Sequence, residues 1–318
     1  MIAALGDAVA AVRRALATPR AKRVLKVLRY LFTSGLIVWL LVQLHAIGWR
    51  EVATSLPTTP LFYLFFVASF LVLPVSERLI FGVIWPASPR ADIPALLRKR
   101  ALNSMVVSYS GDLFFFWWAK TRMGLPERRV LAGIKDSTIL SGIASGVINA
   151  ALAVAFFASG SAELVDRVLA GHRAGLYALL AGLVFLVPVF LKFRRRILWI
   201  DSGQATKVFA VHVVRNLVVL LLQLAQWAVV LPQVPVETWL LFLTVQMLIN
   251  NLPLIPNRDI LFLVVGVSIV GEVGVDRAPL ASMFVAMSFL RQLANLLVLL
   301  VTSVLPGARM PAQEAAAR

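Results

Sequence analysis

Apolar residues in this chain fall into long blocks, at roughly 27–47, 60–85, 101–122, 130–158, 174–191, 208–231, 239–271 and 280–304, separated by short polar segments. A helix rises about 1.5 Å per residue, so about 20 apolar residues cross the hydrocarbon core of a bilayer. Six of the blocks fit a single crossing. Two are interrupted. The block 101–122 contains Tyr109-Ser-Gly-Asp112, and the block 239–271 contains Asn250-Asn-Leu-Pro-Leu-Ile-Pro-Asn-Arg-Asp259. Pro253 and Pro256 remove backbone donors and break the helix. Non-helical backbone at membrane depth persists only where protein buries it or where it faces a water-filled cavity. Each interrupted block is therefore either a broken crossing or two half-helices in a re-entrant hairpin.

Composition agrees with the block pattern. Of 318 residues, 60% are hydrophobic and 14% charged, and the mean hydropathy of +0.87 lies outside the range of soluble domains. The longest loops hold about 15 residues, too few for an independent core. There is no cysteine, hence no disulfide framework and no thiol chemistry. Met1 to Arg29 lacks the apolar core and cleavage site of a secretory signal. Residues 1–26 form a basic segment, read as an interfacial amphipathic helix with Arg13, Arg14, Arg20, Lys22 and Arg23 at the head groups, or else as a frayed tail.

Charge then chooses between broken crossings and hairpins. The net charge is +16, but its basic residues cluster in the short segments between apolar blocks, which points to membrane head groups and away from nucleic acid. If both interrupted blocks return to the side they entered from, segments 1–29, 86–100, 119–135, 192–207 and 305–318 share one face and hold 23 of the 31 basic residues. The opposite loops hold Arg50, Arg167, Arg173 and Arg277, outnumbered by acidic residues. The positive-inside rule therefore favours hairpins with both termini cytoplasmic. Each half then reads crossing, crossing, hairpin, crossing, and the two halves start on opposite sides. That is the pattern of an inverted-topology repeat, in which discontinuous elements of both halves meet near the midplane to form a substrate site.

Candidate chemistry concentrates in the two interruptions. The second offers Gln246, Asn250, Asn251, Asn257, Arg258 and Asp259. The planar fork of Arg258 suits an anionic head group, with the amides bonding its ester or hydroxyl oxygens. The plainer alternative is that Asp259 neutralises Arg258 while the asparagines cap broken helix ends. The first offers Ser110 and Asp112, followed by the aromatic run Phe114 to Trp118 and then by Lys120 and Arg122. Gly111 is expected to supply the turn, Asp112 to cap the next helix or to couple protons, and the aromatic run to sit as an interfacial belt with Lys120 and Arg122 at the head groups. Asp136 and Asp259 are the other carboxylates available for ion coupling. Pairing between helices is expected for Glu77, Arg78, Lys135 and Asp136 ahead of pairing within each dipeptide. Arg78 and Arg215 are expected to snorkel from block ends. Arg291, mid-block with Asn295 one turn on, is the second anion-binding candidate. No metal-ligand spacing, phosphate loop or nucleophile elbow is present, so no catalytic residue, metal or cofactor is expected.

The elements Asn251-Leu-Pro-Leu-Ile-Pro-Asn-Arg-Asp259, an apolar stretch to Gly271, and Ala281-Ser-Met-Phe-Val-Ala-Met-Ser-Phe-Leu-Arg291 resemble the lysylphosphatidylglycerol synthase transmembrane-region family. Its members carry Pro-x-x-Pro leading to Gly-Leu-Gly-x-x-Glu, and then a helix with a late arginine. Ser110-Gly-Asp112 looks like the family's upstream Gly-Glu element. Here Asn257-Arg258 stands where that family has glycines, and Asp259 where it has glutamate. The resemblance covers the chain from about residue 25 onward and implies a stand-alone, flippase-like protein of the bacterial inner membrane without the aminoacyl-transferase domain.

The expectation is an all-α polytopic membrane protein with six full crossings plus two re-entrant helical hairpins in two inverted-topology repeats. The first repeat covers 27–158 with hairpin 101–122, the second covers 174–304 with hairpin 239–271, and 305–318 is a cytoplasmic tail. The expected function is movement of a lipid or lipid-linked amphiphile, anionic head group favoured, between leaflets by alternating access. The expected partners are membrane lipids, anionic head groups favoured, with lipid-biosynthesis proteins as a second class and no nucleic acid. The alternatives are an integral-membrane transferase on lipid-linked substrates and a non-catalytic scaffold of an envelope-lipid synthesis complex.

Overall fold

The computed structural model describes residues 56–86, 91–105, 109–158, 197–251 and 277–305, with positions 262, 265 and 266. The expected crossings 27–47 and 174–191, the basic segment 1–26 and the tip residues Asn257, Arg258 and Asp259 lie outside the described residues. Among the described residues there are seven helices and no strand. They are α1 (Pro60–Ile84), α2 (Ile93–Met105), α3 (Ser110–Arg122), α4 (Glu127–Ala158), α5 (Ser202–Ala228), α6 (Val236–Asn251) and α7 (Arg277–Val304). Four of them, α1, α4, α5 and α7, are long and apolar enough to cross a membrane.

The long helices bury polar residues and expose apolar ones, the reverse of a soluble bundle. On α5, His212, Arg215, Gln223 and Gln226 are buried while Val214, Leu217, Val218 and Leu221 are exposed. On α1 the exposed face carries Leu64, Val67, Leu71, Val75 and Leu79, and on α7 it carries Leu297, Leu300, Val301 and Val304. Apolar faces of this length are what lipid tails solvate.

Two aromatic cores lie toward opposite ends of the bundle. One stacks Phe81, Trp85, Phe115 and Trp118; the other gathers Phe62, Trp227, Trp239, Phe242, Phe262 and Phe284. At the Trp85 end, Gln204 at the start of α5 donates to the Val83 carbonyl near the end of α1 (2.8 Å). At the Trp227 end, Gln226 near the end of α5 donates to the Phe62 carbonyl at the start of α1 (3.2 Å). So α1 and α5 are antiparallel, and they form the main packing pair. Serines 137 and 145 of α4 meet His212 and Asn216 of α5 in the same order, so those two helices run parallel.

Between α1 and α4 the chain makes a tight helical hairpin of two 13-residue arms, α2 and α3. Each arm is about 20 Å long, shorter than a crossing. A Cβ on Gly111 would lie 1.8 Å from the Lys99 carbonyl oxygen, so only glycine lets the arms approach this closely. The turn itself falls elsewhere than expected: Tyr109, with φ of 75°, takes the left-handed conformation that glycine normally supplies. Nor does Asp112 cap α3. The cap acceptor is Asn103 of the opposite arm, whose Oδ1 accepts from Gly111 N (2.6 Å).

The hairpin is also longer than the apolar block 101–122. It begins at Ile93, so Arg98, Lys99 and Arg100 are helical, in place of the expected loop 86–100. Their charges are dealt with by neighbours distant in sequence. Lys99 is buried and reaches both Glu77 of α1 (2.5 Å) and Asp112 of α3 (3.2 Å). Arg98 donates to the Thr302 carbonyl on α7 (3.1 Å). Arg100 donates to the carbonyl of Phe70, which Pro74 leaves without its usual i+4 donor. The aromatic run also differs from the expected belt: Phe115, Phe116 and Trp118 pack inward.

Candidate functional site

Between the two aromatic cores the interior turns polar. The cause is a pair of stripes with helical spacing. On α4, Ser137, Ser141, Ser145 and Asn149 recur every four residues; on α5, His212, Arg215, Asn216, Gln223 and Gln226 share one face. Asn216 Nδ2 donates to Ser145 Oγ (3.2 Å), Arg215 Nη2 to Ser141 Oγ (3.1 Å), and His212 Nε2 lies 3.4 Å from Ser137 Oγ. From α6, Gln246 accepts a hydrogen bond from Gln223.

These stripes enclose a cavity of about 260 Å³. Arg100 and Arg215 supply positive charge, and Ser69, Asn149, Asn216 and Gln246 supply neutral polar groups. Leu73, Val219, Leu220, Leu243 and Met247 make the rest of the wall mostly apolar. No carboxylate lines the cavity among the described residues.

Two features mark it as more than a packing gap. Arg215 is only 9% exposed, and its hydrogen-bond partners among the described residues, Ser141 and Asn216, are neutral; the carboxylate that acts on it, Glu77, is also paired with Lys99. Taking a guanidinium out of water costs several kcal/mol, and a carboxylate shared with Lys99 offsets only part of that. Second, both polar atoms of the Asn149 side chain and the hydroxyl of Ser69 are buried with no hydrogen-bond partner among the described residues. Such orphans are rare in folded interiors and ask for a water or a ligand. The arrangement is suited to an anion whose oxygens take guanidinium and amide donors while an apolar body lies along the leucine and valine wall.

The expected site residues scatter relative to this cavity. Gln246 lines it; Asn250 and Asn251 close α6. Ser110 donates to the Leu102 carbonyl (2.8 Å), inside the hairpin. Asp112 pairs with Lys99 and accepts from Asn103 Nδ2 (2.9 Å). Lys120 pairs with Glu127, and Arg122 is exposed at the end of α3. Asp136, fully buried, accepts from Trp199 N (2.7 Å) and Ile200 N (3.0 Å), tying α4 to the segment that enters α5. It also pairs with Lys135 at 3.0 Å, within the dipeptide, contrary to the expected interhelical pairing. Arg291 is half-buried midway along α7 and outside the cavity wall, while Asn295 donates to Ser104 of the hairpin (3.0 Å).

No family model, curated protein or solved structure matches this chain. Function therefore has to be argued from the site.

Sequence reading missed Arg100, Arg215, Asn149, Asn216 and Gln223. Arg215 was expected to snorkel because the apolar block starts near residue 208, yet α5 starts at Ser202 and places Arg215 at its middle. The available signal was the four-residue spacing of Ser137, Ser141, Ser145 and Asn149, a polar stripe within an otherwise apolar helix.

Proposed function

We propose that this chain is a flippase-like transporter, which moves a lipid or lipid-linked amphiphile between the leaflets of a bacterial inner membrane by alternating access. An anionic head group is the favoured cargo. The observation that carries this reading is the buried Arg215, hydrogen-bonded to neutral groups among the described residues, at a cavity of mixed polar and apolar lining between two aromatic cores. Intramembrane arginines are costly and mark substrate paths. A scaffold would have no use for the buried Asn149 amide and Ser69 hydroxyl, which lack partners among the described residues.

In this reading both termini are cytoplasmic, the α2–α3 hairpin enters from the cytoplasmic leaflet and returns to it, and a second hairpin starts with α6. The packing of α2 on α7 and of α6 on α4 supports two inverted repeats, since each half's short helix leans on the last long helix of the other half. The likeness of the Pro253–Asp259 and Ala281–Arg291 elements to the lysylphosphatidylglycerol synthase transmembrane-region family supports the same class of function. Arg100 and Arg215 hold the head group here, with Gln246 linking the cavity to the second hairpin. Arg258, Arg291, Asn250, Asn251 and Asn257 then belong to the path by which cargo enters or leaves. Coupling to an ion gradient falls to Asp112, Asp136 or Asp259.

The test is leaflet exchange in proteoliposomes. Fluorescent phosphatidylglycerol is expected to become accessible to an external quencher faster than phosphatidylcholine, and faster than in protein-free vesicles. Equal rates with and without protein, for every anionic lipid of the host, would reject the proposal.

A further inference from the structure

A second, larger pocket of about 500 Å³ opens at the Trp85 end of the bundle and shares no lining residue with the mid-bundle cavity. It lies between the end of α1, the first turn of α4 and the segment entering α5. Its charged lining residues are Arg128 and Arg129; no carboxylate lines it among the described residues. The Arg128 guanidinium lies 4.5 Å over the ring of Trp199. On the pocket wall the indole N–H of Trp85, a residue 1% exposed, has no hydrogen-bond partner among the described residues.

Beyond the contact of Arg128 with Trp199, two features of this pocket are unmet among the described residues. Arg128 and Arg129 occupy the first turn of α4, where the helix dipole disfavours positive charge and favours an anion. Glu127, in the same turn, is engaged by Lys120. A buried indole donor without an acceptor is a separate deficit. A phosphate beside the two guanidiniums would meet the first, because arginine's fork matches phosphate oxygens. Trp199, 56% exposed, and Ile84, Pro86 and Pro126 line the pocket with apolar surface. That surface suits an acyl chain and would be idle beside a soluble anion.

We propose that this pocket binds the phosphate of an anionic membrane lipid, held by Arg128 and Arg129 with Trp199 beside it. The site is independent of the transport reading and stands whether or not the chain moves lipid. The test uses the full chain in phosphatidylcholine nanodiscs doped with phosphatidylglycerol, with bound lipid counted by native mass spectrometry. Arg128→Gln/Arg129→Gln is expected to weaken phosphatidylglycerol retention about tenfold or more, and Arg129→Gln alone by less. Both variants are expected to melt with the wild type in pure phosphatidylcholine, since both side chains are exposed. Retention equal in the wild type and the double variant would overturn the proposal. So would release of the lipid by millimolar inorganic phosphate, which would assign the pocket to a free anion.

Discussion

Lys99 holds two carboxylates that would otherwise be buried against each other. Its ammonium bridges Glu77 and Asp112, with the rings of Phe81 and Phe115 beside it at 5.3 and 5.5 Å. Removing one partner of such a cluster costs about 3–5 kcal/mol, because the remaining charges stay in low dielectric. Lys99→Met is therefore expected to lower the melting temperature of the purified protein strongly. Neutralising all three, with Lys99→Met, Glu77→Gln and Asp112→Asn together, is expected to recover most of the loss. A Lys99→Met protein that melts with the wild type would show that the triad carries no stability. None of these contacts was legible from the chain alone: Lys99 stands in a basic run that reads as a loop, and its partners lie 22 and 13 residues away. Asp136 was equally opaque, since the turn at Trp199 that it holds is 63 residues on.

At the scale of elements, length and apolarity were enough to find the four long helices, because a bilayer demands them. The hairpin was legible in part. Its interruption at Tyr109–Asp112 was visible, but the start of its first arm was hidden by three consecutive basic residues, Arg98 to Arg100. The close contact that defines it, Gly111 against the Lys99 carbonyl, predicts intolerance of any side chain there. Because the chain has no cysteine, the geometry can be checked cleanly by Leu102→Cys/Ser110→Cys, placed where Ser110 Oγ meets the Leu102 carbonyl. That pair is expected to cross-link under mild oxidation, and to cross-link poorly once Gly111→Val is added. Unchanged cross-linking with Gly111→Val would show that the arms do not need the glycine.

Among the described residues taken together, apolar side chains face outward along α1, α5 and α7, and hydroxyls, amides and guanidiniums face inward between two aromatic cores. The sequence showed which blocks are apolar but not which faces turn inward, since a polar residue every four positions contributes little to a hydropathy average. Recognition of an anionic head group is proposed to rest on Arg215 in the mid-bundle cavity. Leaflet exchange of phosphatidylglycerol and phosphatidylcholine by Arg215→Gln, in proteoliposomes matched for folded protein, tests it most directly. The expected result is a loss of phosphatidylglycerol exchange of about tenfold or more, the weight of one buried charge-assisted contact of roughly 1.5–3 kcal/mol, with little change for phosphatidylcholine. An Arg215→Gln protein that keeps the wild-type rate and the wild-type preference for the anionic lipid would contradict it.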